Sequence, residues 1–477
     1  MSEDLERLVL NGIDGATGRY LLDPVDPEEL VRGLLPALRL APAVPRRPIS
    51  RNVLEGVDAR DLAATGWALV CPHDVDPAIL EALAPLLAHR QAQAGAQQPQ
   101  RFRVLTGADG LRPGDTKLAF LERHMCGPGP VDPDVLPYYL LLIGDPERVP
   151  FALQTQLDLQ FAVGRLHFAT PDEYAAYACN LVAAEHTEPP ARRDLHFFAT
   201  EHSGDPATAL GARFFERLAA VMQPRAGVWD IGTSFGERAT RATLGGLLGG
   251  PATPSLLVTA SHGLGFPCGD PRQAARQGAL LCQDWPGPGS VPDDSAFAGE
   301  DLGAAEPRGL VALHFSCFSG GTPRLDQFSQ QALAAPPPLA PRPFLADLPR
   351  RMLARGALAV IAHVDRVWSC SLRWARAGTQ IATFRGVLDR LIGGHPVGSA
   401  LEPFAARYGE LAAELLAMLG DPTTDPKRDA AALASLWTAH NDARNYIVLG
   451  DPAARLPVAA PRRVARQPIV GPVTGAA

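Results

Sequence analysis

LVALHFSCFSGG, residues 310–321, is a nearly continuous apolar run that ends in a cysteine ahead of two glycines. Such a run is typical of a strand that helices cover on both faces of a parallel sheet. A second stretch, SLLVTASHG at residues 255–263, is built in the same way and ends in His-Gly. We therefore predict two adjacent parallel strands, each with a reactive residue at its carboxyl end.

Similar apolar runs recur along the chain, and helical patterns separate many of them. The predicted strands are residues 66–71, 102–106, 138–143, 161–166, 195–200, 227–231, 255–261, 310–316, 357–364 and 446–449. Residues 205–222 and 380–392 carry apolar side chains at the spacing of one helix face. Strands that alternate with such helices predict an α/β fold with a mostly parallel sheet.

The strands fall into two groups, which divide the chain into units. We predict a first α/β subdomain of about four strands at residues 66–190 and a catalytic one of about six strands at residues 191–458. Residues 1–65 are predicted to be an appended segment with weak periodicity. The Arg- and Pro-rich residues 459–477 are predicted to be a flexible tail.

Composition excludes several classes of function. The hydrophobic fraction of 46% indicates a globular protein, and the net charge of −7 argues against nucleic acid as a partner. No apolar stretch approaches the roughly 20 residues that cross a membrane. The start, MSEDLERLVLNG, lacks the basic and apolar regions of a signal peptide. The basic residues are almost all Arg, which together with abundant Ala, Gly and Pro is typical of a GC-rich bacterial genome.

The seven cysteines are scattered without CxxC spacing, so we predict neither a disulfide framework nor a structural zinc site. Reduced thiols and the lack of an export signal predict a cytoplasmic protein. Cys268 and Cys282 could bind a metal with His262 only across an irregular spacing, so no metal site is predicted. No GxSxG, Walker or GxGxxG motif follows a predicted strand, and no cofactor is expected.

The two reactive strand ends predict a nucleophile and its base. Ligands of parallel α/β sheets bind outside the carboxyl ends of the strands, so we expect Cys317 and His262 at one edge. A thiolate is the nucleophile, and a nearby imidazole can generate or stabilise it. The N–H of Gly263 is predicted to bind an oxyanion together with that of Cys317. Taken singly, each residue could instead be structural, as a buried cysteine or a hydrogen-bonded histidine.

The order of His-Gly and then Cys, 55 residues apart, resembles the caspase clan of cysteine peptidases. Further patches resemble the gingipains within that clan, although the context FSCFSGG differs from the caspase signature. These patches are YYLLLIGDPERVP (138–150), FAVGRL (161–166), GALAVIAHVDRVW (356–368) and NYIVLGDPAARLPV (445–458). The resemblance implies a three-layer sandwich of two side-by-side, mostly parallel sheets flanked by helices, with the site on the second sheet.

The same resemblance implies roles for individual residues. It makes Cys317 the nucleophile, His262 the general base and Gly263 an oxyanion donor. It also puts Trp368 beside the pocket that accepts the substrate residue before the cut.

Two kinds of acidic residue are further candidates. Glu201 follows the first strand of the second unit and could orient His262, or could be a solvated carboxylate or a helix cap. Asp365 lies near Trp368 and could bind a basic substrate side chain. The alternative for Asp365 is an ion pair with a neighbouring arginine, 366 or 373. Asp158 is a second candidate for the same substrate-binding role.

Together these residues predict a cysteine endopeptidase that cuts protein or peptide substrates through a thioester acyl-enzyme, with a preference for a basic residue before the cut. The Gly- and Pro-rich residues 264–308 and 319–349 are predicted to be long loops that form the walls of the site. One alternative is a catalytically silent relative that serves as a binding or scaffold module. Another is a thiol-dependent amidase or acyl transferase on a small molecule. The sequence identifies no activating partner.

Overall fold

The computed structural model describes residues 12–22, 26, 53–186, 193–223, 229–287, 289–326, 336–374, 377–420 and 429–456. The predicted tail at residues 459–477 and most of the appended N-terminal segment lie outside these ranges. The strands are β1 (Gly12–Asp14), β2 (Trp67–Val70), β3 (Phe102–Leu105), β4 (Tyr139–Ile143), β5 (Ala162–Leu166), β6 (Asp194–Ala199), β7 (Asp230–Phe235), β8 (Leu256–Ala260), β9 (Gly263–Gly265), β10 (Leu280–Leu281), β11 (Ala296–Phe297), β12 (Val311–Phe315), β13 (Gly321–Thr322), β14 (Phe344–Leu345), β15 (Ala359–His363), β16 (Arg373–Trp374), β17 (Gly378–Thr379) and β18 (Tyr446–Gly450).

Helices connect many of these strands. The α-helices are α1 (Leu62–Thr65), α2 (Pro77–Ala82), α3 (Ala84–Ala94), α4 (Lys117–Arg123), α5 (Phe151–Leu157), α6 (Pro171–Glu185), α7 (Pro206–Met222), α8 (Arg241–Gly249), α9 (Gln273–Arg276), α10 (Asp347–Ala354), α11 (Ile381–Ile392), α12 (Val397–Ala400), α13 (Glu402–Gly420) and α14 (Ala430–Ala443).

A ten-stranded sheet is the centre of the molecule, in the order β3-β2-β4-β5-β18-β15-β12-β8-β6-β7. Neighbouring strands are parallel except β15 and β18, which are antiparallel. The two halves of the sheet therefore run in opposite directions. The carboxyl ends of β6, β8, β12 and β15 meet at one edge, where the predicted nucleophile and base follow their strands.

The central strands form because their residues are apolar on both faces, and every residue of β8, β12, β15 and β18 is buried. The predicted α/β sandwich of mostly parallel strands flanked by helices is confirmed. In the structure the two predicted sets of strands join edge to edge through β18, which pairs with both β5 and β15. The division into two subdomains stays a prediction.

A buried charge network ties the last strand to the first half of the sheet. The guanidinium of Arg90 contacts Asp451, directly after β18, at 2.7 Å and Glu185 at 2.7 Å. The indole N–H of Trp67 donates to the other oxygen of Asp451 at 2.9 Å. Each buried charge has an opposite partner, which is the condition for tolerating charges in a core.

A second, four-stranded sheet in the order β1-β9-β10-β11 lies beside the site. It has its own small core, in which Ile13 packs with Leu264, Phe266 and Leu281. The prediction of a long loop at residues 264–308 is therefore wrong. Its strands are only two or three residues long, too short to give a periodic signal.

Candidate active site

The register of β8 and β12 places the predicted nucleophile beside the predicted base. Thr259 pairs with His314, and Ala260 pairs with Phe315, in parallel. His262 and Cys317 each follow two residues after the last of these pairs, at the same edge of the sheet. Both side chains are buried and have no exposed surface.

His262 is held through one of its two ring nitrogens. Its Nε2 makes a short hydrogen bond with a carboxylate oxygen of Asp205, which assigns the proton to Nε2. Its Nδ1 is buried and has no hydrogen-bond partner. Nδ1 is thus the nitrogen that is left to exchange a proton with another group in the site.

Asp205 is itself fixed by the start of a helix. It is the N-cap of α7, where its carboxylate accepts a hydrogen bond from the N–H of Ala207 at 3.0 Å. Burial raises the pKa of Asp205, but hydrogen bonds from His262 and Tyr20 outweigh this and hold that pKa well below its usual range. The carboxylate is therefore charged across the physiological range and favours a proton on Nε2 of His262.

The thiol of Cys317 points to the segment after β15. The backbone N–H of Val367 donates to Sγ at 3.1 Å. Burial raises the pKa of Cys317 well above its usual range, so the thiol is neutral in this state. The turn after Cys317 is fixed by backbone bonds from Phe318 to Asp365, at 2.7 Å, and from Gly320 to His363, at 2.9 Å.

Gly263 is in direct contact with the backbone of Cys317. A Cβ atom built on Gly263 would lie 1.9 Å from the carbonyl oxygen of Cys317, so only glycine fits at this position. This close approach brings together Gly263 and Cys317, the two residues whose N–H groups we predict to bind the oxyanion.

The carboxylate that is hydrogen-bonded to His262 belongs to Asp205, whereas the sequence predicts Glu201 in this role. Glu201 is exposed, and its backbone N–H and C=O pair with the side chain of Gln283, each at 2.8 Å. The chain turns after β6, so that the carboxylate four residues further along points back to the imidazole. Asp-Pro ahead of an amphipathic helix signals an N-cap in the sequence, but it does not indicate a contact with a distant histidine.

Asp365 is buried in an ion pair. Its carboxylate accepts hydrogen bonds from the N–H of Arg366 at 2.7 Å and from Nε of Arg366 at 3.2 Å, and Arg366 also pairs with Asp326. The structure therefore shows the ion-pair alternative at Asp365 and not an open acidic pocket. Trp368 is buried nearby, and its backbone N–H donates to Asp442 at 2.9 Å.

Asp158 is also enclosed. It ends α5, and its carboxylate accepts a hydrogen bond from the N–H of Val163 at 3.2 Å. Burial raises the pKa of Asp158 well above its usual range. Tyr408 and Arg444 line the same small cavity. Burial that raises the pKa in this way disfavours the negative charge that a basic substrate side chain would need.

The described part of the chain carries neither a metal-binding cluster nor a membrane-spanning helix. No group of three or more His, Cys, Asp or Glu side chains there could hold a metal ion. None of the helices in those ranges is both long and apolar enough to cross a bilayer.

A scan against protein-family models and a search of curated proteins give no match. Solved structures do match. The chain is similar to the complex of Porphyromonas gingivalis RgpB pro- and mature domains, at 12% identity and a TM-score of 0.49 over 82% of this chain and 79% of that chain. It is also similar to the Arg-specific cysteine proteinase gingipain R, at 12% identity and a TM-score of 0.47 over 85% and 80%. A Saccharomyces cerevisiae separase–securin complex matches at 10% identity and a TM-score of 0.31 over 66% of this chain and 15% of that chain.

Proposed function

We propose that this chain is a cysteine peptidase with Cys317 as nucleophile and His262 as the group that moves the proton. The observation that carries the proposal is the pairing of His262 with Asp205 beside Cys317, at the ends of adjacent parallel strands. A nucleophile, a base and a group that orients the base are the parts that covalent acyl transfer requires.

The free ring nitrogen defines the proton path in this proposal. Sγ of Cys317 attacks the substrate carbonyl carbon, and the thiol proton passes to Nδ1 of His262. The N–H groups of Gly263 and Cys317 hold the oxyanion. The imidazolium then returns its proton to the leaving amine, and the C–N bond breaks to give a thioester. Water hydrolyses the thioester with His262 as base and restores the thiol.

The carboxylate of Asp205 stabilises the imidazolium that forms between these steps, because it lies on the opposite ring nitrogen. We infer protein or peptide substrates, since the edge of β9 next to His262 can pair with an extended chain. The predicted preference for Arg or Lys before the cut rests on Asp365 and Asp158. In this state Asp365 is paired with Arg366, and Asp158 is buried. A peptide library determines that preference directly.

Burial of both reactive side chains favours one other candidate, a silent module that binds partners without cutting them. The test compares wild type, Cys317→Ala and Cys268→Ala with a fluorogenic peptide library and a peptidyl acyloxymethyl ketone. Cys268 is exposed, so its replacement is a matched control for loss of a thiol.

Because Cys317 is buried, we expect only slow turnover by wild type and Cys268→Ala, a further loss of about 10³-fold or more in Cys317→Ala, and a ketone adduct on Cys317 alone. Absence of both turnover and adduct, in wild type and in the opened variant described below, would support the silent module.

A further inference from the structure

Residues 12–22, which we call the strap, lie across the candidate site. Their strand β1 pairs in parallel with β9, Gly12 opposite Gly263 and Ile13 opposite Leu264. β9 begins directly after His262, so the strap uses the strand edge next to the base. Exposed strand edges bind extended peptides through main-chain hydrogen bonds. In this state the edge is already paired.

The strap contacts the nucleophile. A Cβ atom built on Gly12 would lie 3.1 Å from Sγ of Cys317 and 3.3 Å from its Cβ, so the backbone of Gly12 runs against the thiol. The strap folds back on itself there, because the N–H of Leu21 donates to the carbonyl of Gly12 at 3.0 Å. A substrate carbonyl could not approach Sγ along this direction.

The strap also contacts the base and its partner. The hydroxyl of Tyr20 donates a short hydrogen bond to Asp205, on the carboxylate oxygen that does not bind His262. The ring of Tyr20 packs edge-on against the imidazole, with centroids 5.6 Å apart. One tyrosine thus covers the base and binds the residue that orients it.

Two further features anchor the strap. Ile13 is buried in the small core of the four-stranded sheet. Gly18 has a φ of +64°, and a Cβ atom built on it would lie 1.4 Å from the carbonyl oxygen of Gly289. Glycine is therefore required at this turn, and a larger residue would push the strap away from the body of the protein.

We propose that the strap is an intramolecular inhibitor that binds in the place of an extended peptide and must be displaced before Cys317 can react. This proposal rests on the proposed peptidase function only where its test measures peptide turnover. Its first readout, the accessibility of the thiol, is independent of any catalysis.

The test uses full-length Gly18→Val, which displaces the strap by steric conflict, and Tyr20→Phe, which removes only the hydrogen bond to Asp205. Arg19→Ala is the matched control, because this side chain is exposed within the same strap. Iodoacetamide labelling of each cysteine is followed by peptide mapping. Cys268 is the exposed internal standard, and Cys71, buried at the end of β2, reports global unfolding.

We expect Cys317 to be labelled at least tenfold faster in Gly18→Val, several-fold faster in Tyr20→Phe, and at the wild-type rate in Arg19→Ala. Addition of the peptide GIDGATGRYLL, residues 12–22, should slow the labelling of Gly18→Val again. If Cys71 also becomes reactive in Gly18→Val, that variant is unfolded. The labelling rate of Cys317 in Tyr20→Phe then decides whether the strap covers the thiol.

The outcomes separate the two proposals. Faster labelling of Cys317 in the strap variants, together with increased peptide turnover, supports both the strap as an inhibitor and the peptidase. Faster labelling without turnover of any peptide supports the strap and overturns the peptidase. Unchanged labelling of Cys317 in both strap variants, with Cys268 labelled normally, overturns the strap, and the activity of wild type then decides the peptidase alone.

Discussion

Asp205 and His262 form a short hydrogen bond between a carboxylate oxygen and Nε2, although they lie on different strand connections 57 residues apart. The contact leaves Nδ1 of His262 buried and without a hydrogen-bond partner. It therefore determines which atom can move a proton in the proposed reaction. The pair is also the attachment point of the strap, through Tyr20.

Asp205→Asn is expected to lower kcat by about ten- to a hundredfold with little change in KM, because the imidazolium loses its counter-charge. Asparagine preserves the N-cap of α7, so the melting temperature should stay close to that of wild type. Steady-state kinetics on the best library peptide, with the strap displaced, measures the effect.

The matched control for this prediction is Glu201→Gln. Glu201 meets the rest of the protein through its backbone, so kcat should be within a factor of two of wild type. A larger loss in Glu201→Gln than in Asp205→Asn would show that the orienting residue is Glu201 after all.

Gly263→Ala should destabilise the protein and abolish turnover. The added methyl group would lie 1.9 Å from the carbonyl oxygen of Cys317, so both strand ends must move apart. Overpacking of this kind costs about 1–3 kcal/mol. Gly246→Ala in α8 is the control, since a Cβ there meets nothing within 4 Å and should leave stability equal or slightly higher. Calorimetry and kinetics on both variants measure the two effects. Wild-type stability and turnover in Gly263→Ala would contradict the prediction.

Asp365→Asn tests the acidic-pocket interpretation. Asparagine tolerates the φ of +72° at this position, so the substitution removes the charge with little backbone strain. We expect the loss of a buried partner of Arg366 to lower stability by about 1–3 kcal/mol, with no change in the residue preferred before the cut. Thermal melts and the peptide library measure the two effects. A lost preference for basic residues at unchanged stability would restore the pocket role.

Stability should fall in acid as Glu185 becomes protonated. Burial opposes ionisation, but Arg90 and His89 lower the pKa of Glu185 from 4.5 to about 2. Because the folded pKa is the lower one, this stabilisation is present above pH 4.5 and is lost as the pH falls towards 2. It is on the order of 3 kcal/mol.

Melting temperatures recorded from pH 6 to pH 2.5 check this expectation. Glu185→Gln should be less stable at neutral pH and show a flatter decline below pH 4.5 than wild type. Exposed Glu81→Gln, in α2, should follow the wild-type curve. Parallel curves for wild type and Glu185→Gln would contradict the assignment.

The parts of the site that were predictable from sequence are those at the ends of long apolar strands. Cys317 and His262 follow buried runs whose pattern indicates parallel strands, and parallel strands bring their carboxyl ends together. The ten predicted strands correspond to those of the large sheet, with the strand after α7 shifted to Asp230–Phe235.

The missed parts depend on contacts between distant segments. Asp205 has the sequence signature of an N-cap, but its hydrogen bond to His262 depends on the path of the connection between β6 and α7. The strap has only a three-residue strand, and its partner lies some 250 residues away. Neither contact produces a periodic pattern, so local reasoning could not find it.

β18 joins the two halves of the sheet, and this has a consequence for synthesis. It begins 129 residues after Cys317, and Asp442, just ahead of it, binds the backbone of Trp368 at the site. At about 5–20 residues per second, roughly 6–26 s separate the translation of the nucleophile from that of β18. A nascent chain therefore contains Cys317 before the sheet that supports this residue is complete. The proposed catalytic site therefore lacks part of its support until β18 has been synthesised.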